Sequence, residues 1–359
     1  MSRSKPRYKD DLLIKICDLW FREKMGPAEI KIKINKETEY KINREEVYSI
    51  IKESRERGFI FFSPPEHTEL SGKLQTRYSG SIKVVSTGKS AIGKGLAASA
   101  AELVINKIRI LGETDNYINK TKNDTKKKVH LGIGAGYTAR EIASEIAARY
   151  NRDTSLPPLE IHAITSGFQS HRAELSPISW FSWFMSESTD RVSFVGLFAP
   201  PMVEDKPTYE KIKELPGVKE AYEKAKDIQI VVTSLGDAQS ADHWFPYVTE
   251  EGKESLRKDH GWKGDVLYCP YSDKGPIPGK DLERFAVTLF NIEDLVNLAK
   301  DQIDHMVVLV CGPSHEKKSI RKTDALKPLL TNKDLRVWSH LITDVGTARE
   351  LLDSSTNHF

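Results

Sequence analysis

One segment, residues 128–143, constrains the fold of this chain more than any other. It reads KVHLGIGAGYTAREIA, so an apolar strand runs into a glycine-rich turn and then into an amphipathic helix. Such a turn exposes backbone N–H groups at a helix N-terminus, where the helix dipole favours an anion. Glycines let this backbone approach a ligand without a Cβ in the way. The segment therefore indicates a site for a phosphate or carboxylate ligand.

Strand-like and helix-like segments alternate along most of the chain. The predicted strands cover residues 129–134, 159–165, 192–199, 228–235, 306–311 and 337–343. Helices are predicted between several of them, for example over residues 138–150 and 347–352. This alternation favours a doubly wound α/β domain with a largely parallel sheet. Ligands in such domains bind at the carboxyl ends of the strands, near a switch point.

The first 63 residues have a different pattern. Apolar residues at helical spacing predict a first helix over residues 10–24, and Pro27 suits the start of a second. Asn43 is predicted to cap a third helix, which Gly58 would end. The apolar residues 59–62 are predicted as a short strand. Three helices and a strand predict a winged helix-turn-helix, followed by a linker over residues 64–80 and an effector and oligomerisation domain over residues 81–359.

The third predicted helix carries a candidate DNA-binding surface. Its residues Arg44, Tyr48, Lys52 and Arg55 share one side, opposite an apolar stripe. A recognition helix needs an apolar back and a cationic front that faces the groove. Residues 1–60 hold 15 Lys and Arg against 11 Asp and Glu, which is consistent with nucleic-acid contact. The alternative is a solvated surface helix whose acidic residues balance its cations.

Composition excludes several classes of protein. No apolar run approaches the ~18 residues of a membrane span, and residues 1–6 show no secretory pattern. The three cysteines are far apart, and His162, His243 and His305 have no metal-ligand spacing, so neither a disulfide framework nor a metal site is expected. A cytoplasmic protein without membrane contact or cofactor is expected.

Two glycine-rich patterns resemble nucleotide-binding motifs without completing them. Residues 134–139 have the form GxGxxA, but the next predicted strand ends without the acidic residue that a dinucleotide fold requires. Residues 88–95 resemble a P-loop but lack the final Ser or Thr that would hold Mg²⁺. Two further turns follow predicted strands and contain polar residues, namely Asp237 in one and His315, Lys317 and Lys318 in the other.

The order of these segments resembles the SorC family of sugar-responsive transcriptional regulators. The matching pieces are residues 132–138, 198–201, 228–236, 264–266 and 341–352. The resemblance covers nearly the whole chain, from the helix-turn-helix to Leu352. It implies an effector domain of the isomerase and CoA-transferase type that binds a sugar or sugar phosphate. It also implies a homodimer or homotetramer that binds double-stranded DNA.

By this resemblance, Gly134, Gly136 and Thr138 would cradle a phosphate, and either Lys317 or Lys318 would contact the anion. Tyr137 and Asp237 complete the predicted effector-binding set.

The chain departs from the family pattern at two points of this site. Ala135 and Tyr137 stand where the family has an aromatic residue and an arginine. Leu267 and Tyr268 stand where it often has Gly-Arg. Two expected cations are therefore missing, which predicts either a less anionic ligand than a bisphosphate or a site that no longer serves sugars.

Two other functions remain possible at this point. A sugar-phosphate isomerase or deaminase on the same fold would need a carboxylate base, for which Asp237 is the one candidate. An adaptor that does not bind DNA and has a degenerate wing domain is the other. Neither the effector, the operator nor the sign of regulation follows from the sequence.

Overall fold

The computed structural model describes residues 7–88, 91–118, 128–166, 170–185, 191–240, 248–279, 284–315 and 321–353. The chain separates into two compact units, Met1–Phe62 and Ser63–Phe359. Within the described residues, no helix is both long enough and apolar enough to cross a bilayer.

The first unit is helical. It contains α1 (Asp10–Cys17), which continues as a π-helical turn (Asp18–Arg22), α2 (Pro27–Glu37) and α3 (Arg44–Arg57). Its core is formed by apolar residues from all three helices, among them Leu13, Ile16, Ile30, Ile34, Val47 and Ile50. The three predicted helices are therefore confirmed.

The ends of these helices follow local sequence signals. The Asn43 side chain accepts hydrogen bonds from the N–H groups of Glu45 and Glu46, and the Glu46 carboxylate accepts one from the Asn43 N–H. Gly58 ends α3 in the left-handed conformation, with φ of 76°. In α2, Ile30 and Ile34 are buried one turn apart while Ile32 is 66% exposed, so the helical period overrides the alternating sequence pattern.

The strand predicted for residues 59–62 is wrong. These residues form neither strand nor helix, and the Phe62 side chain is 77% exposed. A strand requires a neighbour to bind its N–H and C=O groups, and residues 7–62 contain no other strand. This unit is thus a three-helix arrangement, and the predicted wing is not present in its described residues.

The predicted linker over residues 64–80 is also wrong for most of its length. Residues Thr68–Tyr78 form helix α4, and Leu70, Leu74 and Tyr78 are buried in the core of the second unit. The Ser71 hydroxyl accepts a hydrogen bond from the Val84 N–H. The polar residues of this segment suggested a linker, but its apolar positions 70, 74 and 78 recur every four residues and line one face of a helix.

The second unit combines helices with a large sheet. Its strands are β1 (Ser81–Val85), β2 (Val129–Ile133), β3 (Leu159–Ala163), β4 (Val192–Val195), β5 (Met202–Val203), β6 (Ile230–Asp237), β7 (Trp262–Val266), β8 (Cys269–Ser272), β9 (Gly275–Pro276), β10 (Phe285–Ala286), β11 (Met306–Cys311) and β12 (His340–Asp344). Its further helices are α5 (Ile92–Ile118), α6 (Tyr137–Tyr150), α7 (Pro177–Phe184), α8 (Lys206–Lys213), α9 (Pro216–Lys224), α10 (Glu250–Asp259), α11 (Ile292–Lys300), α12 (Thr323–Thr331) and α13 (Val345–Asp353).

The central sheet has the strand order β1-β12-β11-β6-β2-β3-β4, and all of these neighbours are parallel. From β2 the chain proceeds outward through β3 and β4, and from β6 it proceeds in the opposite direction through β11 and β12. The switch point therefore lies between β2 and β6, where a doubly wound fold places its ligand. The predicted α/β class is confirmed.

Helices cover both faces of the sheet. Residues of α5, α6 and α7 pack in one core cluster, and residues of α4, α9, α11, α12 and α13 pack in the other. The hairpin of β7 and β8 extends the sheet antiparallel from β6. This hairpin is not evident from the sequence because β7 contains Gly264 and Asp265, which are unfavourable in strands.

Candidate functional site

A cavity opens at the switch point, at the carboxyl ends of β2, β6 and β11. Its lining includes Tyr137 and Thr138 after β2, Asp237 at the end of β6, and His315 after β11. The predicted residues Gly136, Tyr137, Thr138 and Asp237 all contact this cavity, whereas Gly134 does not. Lys317 and Lys318 lie outside the described residues. Three turns predicted separately thus meet at one place.

The two glycines of the turn have different structural roles. Gly136 has φ of 107° and ψ of 172°, a conformation that essentially only glycine adopts. At Gly134, an added Cβ would lie 2.9 Å from Leu267 Cδ2, so this glycine serves close packing. The Gly134 N–H donates to the Val232 carbonyl and the Gly136 N–H to the Leu175 carbonyl. The donors without intrahelical partners are those of the first turn of α6, which begins at Tyr137.

Tyr137 contacts two side chains, those of Arg172 and His315. Neither residue lies in the segments that resemble the family. Arg172 Nη1 donates to the Tyr137 hydroxyl at 2.9 Å, and the Tyr137 ring stacks on the His315 ring at 4.0 Å between centroids. Arg172 comes from a 3₁₀ segment (Ser170–Leu175), where its own φ and ψ are not helical. No sequence motif indicates this position, because Arg172 reaches the turn only through the fold.

Lys322 is a second cation in the cavity wall. It directly precedes α12, and its Nζ donates to the Leu235 carbonyl at 2.8 Å. Arg172 and Lys322 therefore put two cations at a site where the family comparison predicted that two are missing. The two cations of the family pattern are absent from the sequence, and the positive charge of this cavity comes from other elements instead.

Two buried acidic residues also line the cavity. Asp237 and Asp265 are 3% and 4% exposed and contact the cavity from neighbouring strands. Their strands pair Gly236 with Asp265 and Asp237 with Gly264. A Cβ at Gly264 would lie 2.4 Å from the Gly236 carbonyl oxygen, so the close approach of these strands requires glycine there.

The hairpin between β7 and β8 has a strained turn at the cavity. Leu267 and Tyr268 have φ of 53° and 63°, although neither is glycine. Val266 pairs with Cys269, so these two residues form the whole loop, and such loops favour glycine or asparagine. Both side chains contact the cavity. This turn places two large residues in the cavity wall, at the positions where the sequence departs from the family pattern that it otherwise resembles.

A threonine hydroxyl belongs to the cavity wall, and a buried thiol lies at a neighbouring strand end without lining the cavity. Thr165 lines it, and its Oγ1 is buried without a hydrogen-bond partner among the described residues. Cys311 lies at the end of β11, where burial raises the pKa of its thiol to about 12 despite the opposing effect of Lys322. A thiol with this pKa stays protonated at neutral pH and is a poor nucleophile.

The candidate DNA-binding residues lie on the exposed side of α3. Arg44, Tyr48, Lys52 and Arg55 are all exposed, and the buried side of the helix consists of Val47, Ile50 and Ser54. Tyr48 is 50% exposed and packs edge-on against Trp20, with 5.7 Å between ring centroids. Lys52 Nζ lies 4.0 Å from Glu56 Oε1, a weak exposed ion pair.

The histidines differ from one another in the structure. His243 lies outside the described residues, and His305 pairs with the Asp301 carboxylate at 2.9 Å. His162 is fully buried and meets His130 and Glu160. The spacing of the histidines along the sequence does not indicate this cluster, because His130 lies on a neighbouring strand and Glu160 lies two residues away on the strand of His162.

Comparison with known families gives a match over more than half of the chain. Residues 112–353 match the family model described as "Putative sugar-binding domain". Among proteins with curated descriptions, none is significantly similar in sequence.

Several solved structures share the fold. The full-length sorbitol operon regulator SorC from Klebsiella pneumoniae superposes with a TM-score of 0.57 at 14% identity, over 96% of this chain and 100% of that one. A DeoR family transcriptional regulator from Listeria monocytogenes has a TM-score of 0.56 at 18% identity, over 79% and 98%. A transcriptional regulator from Streptococcus pneumoniae has a TM-score of 0.57 at 15% identity, over 81% and 98%.

Proposed function

Because the chain belongs to the sugar-binding domain family of SorC-type transcriptional regulators, we propose that it is a DNA-binding regulator controlled by a sugar or sugar phosphate. The effector binds in the cavity at the switch point, and α3 contacts the duplex. Two DNA-binding units of a homodimer or homotetramer change their geometry when the effector favours one of two states.

The observation that carries this proposal is the pairing of charges in the cavity. Arg172 and Lys322 provide cations on its wall, and Asp237 and Asp265 provide buried carboxylates. Cations bind a phosphate or carboxylate through charge-assisted hydrogen bonds. Carboxylates accept hydrogen bonds from sugar hydroxyls. A polyhydroxylated molecule with an anionic group matches both sets at once.

The anionic end of the ligand is assigned to the turn before α6. The N-terminus of this helix favours negative charge, and Tyr137 and Thr138 lie at its first turn next to Arg172. Gly136 gives this turn its shape rather than its hydrogen-bond donors. Lys317 and Lys318 belong to the proposed site through their position after the strand-end loop of His315.

The DNA-binding part of the proposal rests on α3. Arg44, Lys52 and Arg55 are exposed cations on one face, and Tyr48 lies between them. Contacts of such cations with backbone phosphates make binding strongly dependent on salt.

An enzyme on this fold would use Asp237 as a base. The formation of product from a bound ligand is therefore measured as a separate outcome.

A thermal-shift screen of free sugars and sugar phosphates tests the effector assignment. A ligand at 100 times its Kd adds about 2.7 kcal/mol of stability, which corresponds to several degrees at ~2–4 °C per kcal/mol. We expect Arg172→Gln to lose the response to the sugar phosphate and to keep that to the free sugar, because the guanidinium binds the anionic end. Asp265→Asn should weaken both responses.

Arg109→Gln is the matched control, since Arg109 pairs with Asp153 at 3.2 Å away from the cavity. A flat response of the wild-type protein to every sugar and sugar phosphate would contradict the effector assignment. Turnover of a responding ligand would support the enzyme instead.

A further inference from the structure

Three potential metal ligands lie together on one face of the central sheet. His130 is on β2, and Glu160 and His162 are on β3. The register pairs His130 with Glu160 and Gly132 with His162. Because alternate residues of a strand point to the same face and paired residues share a face, all three side chains project to the same side. The effector cavity is at the other end of β2, after Ile133.

The distances among the three ligand atoms match one coordination sphere. His130 Nδ1 lies 3.1 Å from His162 Nε2. Glu160 Oε1 lies 3.8 Å from the first nitrogen and 3.9 Å from the second. In the plane of these three atoms, the point equidistant from them is about 2.1 Å from each. This distance matches the length of zinc bonds to imidazole nitrogen and carboxylate oxygen.

The two oxygens of Glu160 have separate partners. Oε2 accepts a hydrogen bond from the Ser193 hydroxyl at 2.7 Å and lies 3.6 Å from Lys128 Nζ. Oε1 is the oxygen that faces both imidazoles. Metal-binding carboxylates are held in this way by outer hydrogen bonds that fix their orientation. The ligand arrangement is therefore supported by the residues around it.

The cluster is largely buried. The side chain of His162 is fully buried, and those of Glu160 and His130 are 12% and 15% exposed. His130 Nδ1 and His162 Nε2 lie within hydrogen-bond distance of each other, so a bound ion would replace that contact. His162 Nδ1, the ring nitrogen that does not face the other two side chains, is buried without a hydrogen-bond partner among the described residues. The partial exposure of the other two residues leaves an entry path for an ion.

We propose that His130, Glu160 and His162 form a binding site for a divalent transition metal ion such as Zn²⁺. Two imidazole nitrogens and one carboxylate oxygen favour such ions over Ca²⁺ and Mg²⁺, which prefer sets of oxygen ligands. Lys128 and Lys224 also act on Glu160. The positive charges of these lysines reduce the affinity of the site for any cation. Binding therefore depends mainly on the bonds from the two imidazole nitrogens.

The test uses untagged full-length protein that has been stripped with a chelator, loaded with ZnCl₂ and separated from free metal by gel filtration. We expect one zinc per chain by elemental analysis. Glu160→Gln and His130→Asn should each weaken binding by more than about 100-fold, the upper end of what an outer-sphere substitution costs. Ser193→Ala should weaken it by about 10- to 100-fold. His305→Asn is the matched control, because His305 has a carboxylate partner but no second histidine.

X-ray absorption of the loaded wild-type protein gives a test that needs no variant. We expect only nitrogen and oxygen ligands at about 2.0–2.2 Å, with scattering from two imidazoles. Sulfur in the first shell would place the ion at a cysteine and overturn the proposal. Equal zinc binding by wild type and by Glu160→Gln, or no zinc retained by wild type, would also overturn it. None of these outcomes depends on the response to sugars or on DNA binding.

Discussion

The helical unit and the α/β unit form their candidate binding surfaces in different ways. In the helical unit, Arg44 and Arg55 belong to a single helix and share a face through its own period. In the α/β unit, the cavity combines Tyr137, Arg172 and Lys322, which are spread along more than half of the chain. A surface on one element is therefore visible in a short window of sequence, whereas a composite site depends on which strands become neighbours.

The largest effect is expected in helix α4, which local composition suggests to be a linker. Leu74→Ala removes a fully buried side chain from the core of the α/β unit, and such truncations cost about 2–5 kcal/mol. Chemical denaturation followed by tryptophan fluorescence measures the loss, since Trp180 and Trp338 are buried in the α/β unit. Thr76→Ala on the exposed side of α4 is the control and should change stability by less than about 0.5 kcal/mol. Equal small effects at both positions would mean that the segment is a linker after all.

The next prediction concerns the sufficiency of one helix for DNA binding. The double reversal Lys52→Glu and Arg55→Glu should weaken binding to a labelled duplex by at least about 100-fold, because it would replace two of the proposed phosphate contacts by repulsion. Fluorescence anisotropy at several salt concentrations measures this loss. The same reversal at Lys31 and Lys36, exposed cations of α2, has the same net charge change and should have a much smaller effect. Similar losses in both double variants would show that the overall charge of the unit, and not the face of α3, determines the affinity for DNA.

A third prediction tests whether the glycine turn depends on the backbone conformation of Gly136. Gly136→Ala places a Cβ on a backbone with φ of 107° and should destabilise the α/β unit by about 1–3 kcal/mol. Added bulk is not the cause, since a Cβ there would meet nothing within 4 Å. Gly72→Ala, in helix α4 and equally open, should instead stabilise by about 0.5–1 kcal/mol. The difference in unfolding midpoint between the two variants is the measurement, and the same sign for both would contradict it.

The smallest expected effect is at the start of α3. Asn43→Ala removes the side chain that accepts from the Glu45 and Glu46 N–H groups and should cost about 1 kcal/mol. Asn43→Ser, which retains a capping oxygen, should recover most of that loss. Circular dichroism during thermal unfolding compares the two. A loss that serine does not recover would show that Asn43 acts through something other than capping.

Much of the fold is predictable because its signals are local. The ends of α3, the start of α2 at Pro27 and the central strands follow from caps, proline and apolar runs. The segments that sequence reasoning missed depend on distant partners. The hairpin of β7 and β8 forms because β6 offers it an edge. Residues 59–62 have strand-like composition but no strand among residues 7–62 to pair with.

The sequence alone determined the α/β class of the second unit and the three helices of the first. It also predicted a winged helix-turn-helix that binds DNA through α3 and an effector site at the turn around Gly136, and these two binding roles stay predictions. These features depend on interactions between residues a few positions apart, such as caps, helical periods and glycine conformations.

Only the tertiary structure brought Arg172 and Lys322 to that turn, and only the register of β2 with β3 placed His130 beside Glu160 and His162. A strand register is set by burial and pairing over the whole sheet. Contacts across strands therefore exist only once the sheet has formed, and no short window of sequence contains them.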